Sequence, residues 1–212
     1  MKEKISTKDA KLGINLETIK VRLTLTEDLL GTASGNKELY ADYIATKAPN
    51  VDMVEQEIED FDPDLAMEKA MTIFPRKADG TPFLYDYQIK GFFKDSAGVL
   101  RKVPGTACSK VKAYKKEIDG LVFPRPRKIE IKMAGKMGIC ERPLRASTPM
   151  GERVALSISE SIPAGSTLEF EIGYMTENMK ELVMECLDYG ALRGLGQWRN
   201  SGKGRFTYEL LG

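Results

Sequence analysis

The chain has 212 residues, 42% hydrophobic and 30% charged, with a formal net charge of +1 and no histidine. That is ample for one domain with a sizeable core; it excludes imidazole-based nuclease and hydrolase chemistry and argues against a globally basic nucleic-acid binder. No apolar run reaches membrane-span length and Met1-Lys-Glu-Lys-Ile-Ser lacks a signal-peptide core, so the cytoplasm is the expected compartment, with no membrane partner.

Three scattered cysteines, Cys108, Cys140 and Cys186, make neither a disulfide framework nor a zinc site, and no cofactor is expected. The charge is segregated. Residues 55–68 are acidic and residues 101–136 strongly basic, which suits one anion-binding face and one other face.

Residues 1–17 read as a polar arm. Ile19, Val21, Leu23 and Leu25 then alternate with Lys20, Arg22, Thr24 and Thr26, a half-buried strand with a basic, polar outer face. Leu29 to Asn36 is a small-residue loop, either a plain turn or a donor of N–H and hydroxyl groups to phosphate. Residues 37–72 read as helical, so that 37–80 forms a mainly helical insertion in a single domain spanning 1–212. Asp60, Asp62 and Asp64 begin like an EF-hand loop, but Leu65 stands where glycine is required.

Ile89, Phe92 and Phe93 mark a helix with Asp86 placed to cap it, and Lys90 and Lys94 share another face. Like charges at i, i+4 repel mildly, which hints at an external anion. Leu121 to Phe123 is a strand whose exit, Pro124 to Arg127, holds out Arg125 and Arg127. Ile129 and Ile131 begin another strand. Arg142, Arg145 and Arg153 punctuate a loop before the strand at Val154, Leu156 and Ile158.

The closing unit has the clearest pattern. Leu168, Phe170, Ile172 and Tyr174 alternate; Asn178 and Glu181 form a capping-box pair; Met179, Leu182, Val183, Cys186 and Leu187 make a helical stripe that Gly190 stops. A basic, glycine-rich loop follows, with Gly194, Gly196, Gly202 and Gly204 interleaved with Arg193, Trp198, Arg199, Lys203 and Arg205, and then the strand of Phe206, Tyr208 and Leu210. Such a loop on a rigid support suits a phosphate backbone. Trp198 either stacks on a base or packs under the loop. It is no Walker loop, since Gly204 follows Lys203, and no dinucleotide fingerprint, since it follows a helix and precedes a strand. The fold class expected is α+β: an RRM- or ferredoxin-like antiparallel sheet with flanking helices, the helical insertion and the C-terminal glycine-rich loop.

Three segments resemble the RAMP superfamily of CRISPR-associated proteins, especially backbone subunits of Cas7 type. Gly194 to Phe206 is similar to that family's glycine-rich loop. Tyr87 to Lys94 resembles its helix start, with Lys90 and Gly91 matching while Tyr87 and Gln88 replace paired serines. The first strand with Leu30-Gly31-Thr32 resembles its opening strand and turn. The resemblance implies a grip on the sugar-phosphate backbone of a guide (crRNA-like) RNA, stacking of identical copies and other CRISPR-associated subunits along it, and a β-hairpin thumb. Phosphates would fall to Lys90 and Lys94, with Arg125, Arg127, Arg193, Arg199, Lys203 and Arg205 as further RNA-binding cations. Some relatives cut RNA with an aspartate after the first strand, for which Asp52 is the sole candidate by position. Two alternatives stand beside the RNA-binding subunit: a stand-alone or metal-dependent endoribonuclease, and a mobile-element-encoded interaction protein that mimics a backbone subunit without catalysis.

Overall fold

The computed structural model describes residues 16–34, 71–148 and 151–211. The chain runs β1 (Glu17–Leu25), β2 (Leu29–Leu30), β3 (Ala33–Ser34), β4 (Met71–Ile73), β5 (Phe83–Tyr85), α1 (Asp86–Leu100), α2 (Ala107–Lys110), α3 (Tyr114–Leu121), β6 (Val122–Arg125), β7 (Lys128–Lys132), β8 (Gly138–Thr148), β9 (Gly151–Ile162), β10 (Thr167–Tyr174), α4 (Glu177–Arg193), a 3-10 turn (Arg199–Ser201) and β11 (Phe206–Leu211). Asp52, the Asp60–Asp64 run and residues 37–70 of the expected helical insertion lie outside the described residues. Met71 and Thr72, at the end of that helical reading, are strand.

Strand alternation sets the main layer. Val21, Leu23 and Leu25 of β1 and Leu168, Phe170 and Ile172 of β10 are buried on one face. The two strands pair antiparallel with Val21 opposite Phe170 and Leu23 opposite Leu168. The sheet order is β11-β1-β10-β7-β5, with β6 also on β10. With α1 after β1 and α4 after β10, this is the split βαβ arrangement of ferredoxin-like folds, last strand beside first. The α+β class read from the sequence is the one observed.

The apolar stripes of both helices cover that face. Ile89, Phe92, Phe93 and Ala97 from α1 meet Met179, Leu182, Val183 and Cys186 from α4 in one cluster with the strands. Burying a side chain of Leu or Phe size contributes about 1.5–3 kcal/mol, so this layer dominates stability. The opposite face is a lattice of charges. Arg22 pairs with Glu169 at 3.0 Å and with Glu209 at 3.1 Å, Lys132 with Glu169 at 3.1 Å, and Lys20 with Glu171 at 3.6 Å. The basic outer face expected of β1 is therefore neutralised by glutamates from its two neighbouring strands.

A second sheet, β2-β9-β4-β3 with β8 on β9, adjoins the first. Its β8–β9 hairpin runs in register from Gly138 opposite Ser161 to Thr148 opposite Gly151. The loop expected around Arg142, Arg145 and Arg153 is thus a long hairpin. Charges and Pro143 masked it, and both are tolerated because β8 is an edge strand.

Helix ends also differ from the sequence reading. Thr176, not Asn178, caps α4, its side chain accepting from Met179 N. The helix runs through Gly190 and stops at Gly194, whose φ is 75°. Asp86 lies one residue inside α1. The box at that end joins Tyr85 and Gln88, with Tyr85 N donating to Gln88 Oε1 at 2.8 Å.

Candidate nucleic-acid interface

The closing loop is pinned at both ends by backbone bonds. Gly204 N donates to Asp28 O at 2.8 Å, Leu195 N to Gly204 O at 2.8 Å, and Thr26 N to Arg205 O at 2.8 Å. Gly204 is glycine for contact as well as for its φ of 73°: a Cβ there would stand 2.1 Å from Leu195 O. The loop is thus a packed corner between α4 and β11, not the free hinge that its composition suggests.

Its cations have internal partners. Arg193 Nε and Arg199 Nη1 both donate to Asp95 Oδ2, at 2.9 and 2.7 Å. Arg193 Nη1 also reaches Asn200 Oδ1 at 2.8 Å. Asp95 holds the Arg193 guanidinium above its ordinary pKa. Lys203 Nζ donates to Asp28 Oδ2 at 2.9 Å, and that bond is the main reason the Asp28 carboxyl titrates below its usual range. Arg205 Nε donates to Leu192 O at 3.2 Å, and the guanidinium packs over Gly202.

The other expected cations are distributed differently. Lys94 forms an ion pair with Asp119, and Lys90 Nζ reaches Asp119 O at 3.2 Å while lying over the Phe123 ring. Burial lowers the Lys90 ammonium below its ordinary value. The anion that this lysine pair calls for is therefore supplied within the fold, by Asp119. Arg127 pairs with Asp86 and lies over the rings of Tyr85 and Tyr87, whereas Arg125 is exposed.

Beside the loop opens a cleft of about 540 Å³, lined by Thr32, Tyr87, Gln88, Gly91, Gly196 and Arg199 among others. Three segments distant in sequence meet there. Gln88 Nε2 donates to Thr32 Oγ1, joining α1 to the turn after β2. A Cβ on Gly196 would stand 2.9 Å from Leu29 Cδ1 and 3.0 Å from Leu30 O, so the loop lies directly on β2. Asp95 reaches across from α1 to Arg193 and Arg199. Gly91 leaves one wall bare, with no atom within 4 Å of a Cβ built on it.

Two residues at this corner escaped the sequence reading. Asp95 and Asp28 look like ordinary surface carboxylates, and only the fold shows that they hold the loop cations. Arg142, expected in a loop, is 6% exposed on β8. It donates from Nη2 to Gln197 Oε1 at 3.1 Å and lies 4.9 Å from the Trp198 ring centroid. Trp198, at φ 53°, is 40% exposed.

Among the described residues no group of His, Cys, Asp or Glu is arranged to hold a metal ion, and no helix is long and apolar enough to cross a membrane.

No family model and no curated protein matches the chain. Among solved structures it is similar to a chain of a type III-B Cmr-beta complex bound to cognate target RNA. That likeness has 14% identity over 93% of this chain and 59% of the other, with a TM-score of 0.48. It is also similar to Cmr6 from Pyrococcus furiosus, at 12% identity over 92% of this chain and 100% of the other, with a TM-score of 0.47.

Proposed function

We propose that the chain is a non-catalytic RNA-binding protein of RAMP type, a cytoplasmic subunit that grips the sugar-phosphate backbone of a guide RNA beside copies of itself. The observation that carries this reading is the meeting of three segments at one cleft. The turn at Leu30 to Thr32, the head of α1 and the closing loop are the segments that resemble RAMP proteins, and they touch through Gln88–Thr32 and Gly196–Leu30. The open sheet face offers no aromatic platform of the RRM kind on its two central strands, because Lys20, Arg22, Glu169 and Glu171 occupy it in mutual pairs. The strand therefore lies in the cleft, and its phosphates draw Arg193, Arg199 and Lys203 away from Asp95 and Asp28. The β8–β9 hairpin takes the part of the thumb.

The test is titration of the purified chain with single-stranded RNA at increasing salt. Affinity is expected to fall steeply with salt and equally for all sequences. Gly91→Leu is expected to abolish binding by filling the cleft while keeping the melting temperature. Tight binding indifferent to both changes overturns the reading.

The internal pairing of the loop cations favours a second reading, an interaction protein that mimics a backbone subunit and carries no RNA. A nucleic-acid-free complex with CRISPR-associated subunits, isolated from the native host, would decide for it.

A further inference from the structure

Arg142, on β8, is a buried arginine. Its guanidinium is buried, and both Nε and Nη1 lack any hydrogen-bond partner. Among the described residues no carboxylate pairs with it. A buried charge with unmet donors is strongly destabilising and calls for an explanation. Arg142 Nη2 donates to Gln197 Oε1 at 3.1 Å, and the indole of Trp198 supplies a cation–π contact at 4.9 Å that accepts no conventional hydrogen bond. Trp198 itself sits at φ 53°, in the left-handed region that a bulky side chain seldom adopts, and is the only non-glycine residue of positive φ among those described. Two adjacent irregularities, an unsatisfied cation and a strained cover, thus occur at one point. In the chain, Gln197 and Trp198 lie between Gly196 and Arg199, both of which line the cleft. Ser157 stands opposite Arg142 across the β8–β9 ladder, adding a hydroxyl beside the charge.

We propose that Arg142 is a phosphate seat and Trp198 its removable cover. In the free protein the indole closes the guanidinium off. A nucleotide strand entering the cleft displaces the indole, its phosphate oxygens accept from the donors that lack a partner, and the released indole stacks on the neighbouring base. The choice of a nucleotide strand rests on the reading given above; the anion seat rests on Arg142 alone.

Trp198 is the only tryptophan in the sequence, so its emission reports this one site. The full chain is titrated with inorganic pyrophosphate and, separately, with a single-stranded oligouridylate. Both are expected to change Trp198 emission saturably, and Arg142→Gln to weaken each response about tenfold or more, the scale of a charge-assisted hydrogen bond. Trp198→Gly, followed by calorimetry, relieves the positive φ and removes the cover, and is expected to bind pyrophosphate more tightly than the parent. It also keeps the test alive should Arg142→Gln fail to fold by circular dichroism. Emission that ignores pyrophosphate, or a Trp198→Gly variant that binds it no better, overturns the seat. Oligouridylate that binds undiminished to Arg142→Gln, with Trp198 silent, overturns the seat and leaves RNA binding at the cleft intact. An Arg142-dependent pyrophosphate response without oligouridylate binding supports the seat and removes the RNA reading.

Discussion

Gly190 and Phe206 occupy each other's space: a Cβ on Gly190, inside α4, would stand 2.1 Å from Cζ of Phe206 at the head of β11. The glycine is what lets the closing strand return under the helix that precedes it. Gly190→Ala is therefore expected to lower stability by about 1–3 kcal/mol through overpacking, read as a fall in melting temperature. Combining it with Phe206→Leu should cost less than the two single changes added together, since the smaller side chain vacates the contested volume. Full additivity would show that the contact is relieved elsewhere.

Asp95 holds Arg193 and Arg199, so it competes with any phosphate for them. Asp95→Asn should lower stability by about 0.5–1 kcal/mol, as expected for partly exposed pairs. It should also raise RNA affinity several-fold and steepen its salt dependence, because two cations are released. A loss of stability with no gain in affinity would mean that the pair serves only to brace the corner.

Acid should act through Asp28. Its folded-state pKa is depressed, chiefly by the Lys203 bond, so its stabilisation is present above the unfolded value of about 3.9 and is lost as pH falls through the lower folded value. The melting temperature of Asp28→Asn should lie below that of the parent at neutral pH, and the gap should close below about pH 4. A gap constant with pH would place the effect in the hydrogen bond that Ala164 N donates to Asp28 Oδ1 at 3.2 Å rather than in the charge.

Alkali should act through Tyr208. Burial, helped by the bond from its hydroxyl to Asp188 Oδ1 at 2.8 Å, raises its pKa to about 12. A raised value stabilises the fold below the unfolded pKa of about 10, and that contribution is lost as pH climbs through the folded value. Burial also raises the pKa of Tyr174, so ultraviolet titration should show late-ionising tyrosines in the parent and one fewer of them in Tyr208→Phe.

Much of the core was legible because its periods are clean. Val21, Leu23 and Leu25, the stripe of Ile89, Phe92 and Phe93, and that of Met179, Leu182 and Val183 each place an element and its buried face. The failures have physical causes. Gly190 reads as a helix stop because a sequence carries no record of Phe206 pressing on it. The β8–β9 hairpin hides behind charges and a proline that its edge position tolerates. At the candidate site the glycines and cations were visible, whereas their partners were not. Asp28 and Lys203, or Asp95 and Arg199, are brought together only by the fold, and an arginine such as Arg142 gives no local sign of burial.

The pairing of β3 with β4 sets Ser34 opposite Thr72. Whatever residues 35–70 do, they depart and return across a single rung of one ladder. A short turn bridging that rung would keep both sheets joined. Replacing the stretch between by such a turn is thus expected to leave the walls of the cleft standing, a shortening that circular dichroism and RNA titration of the trimmed chain would check.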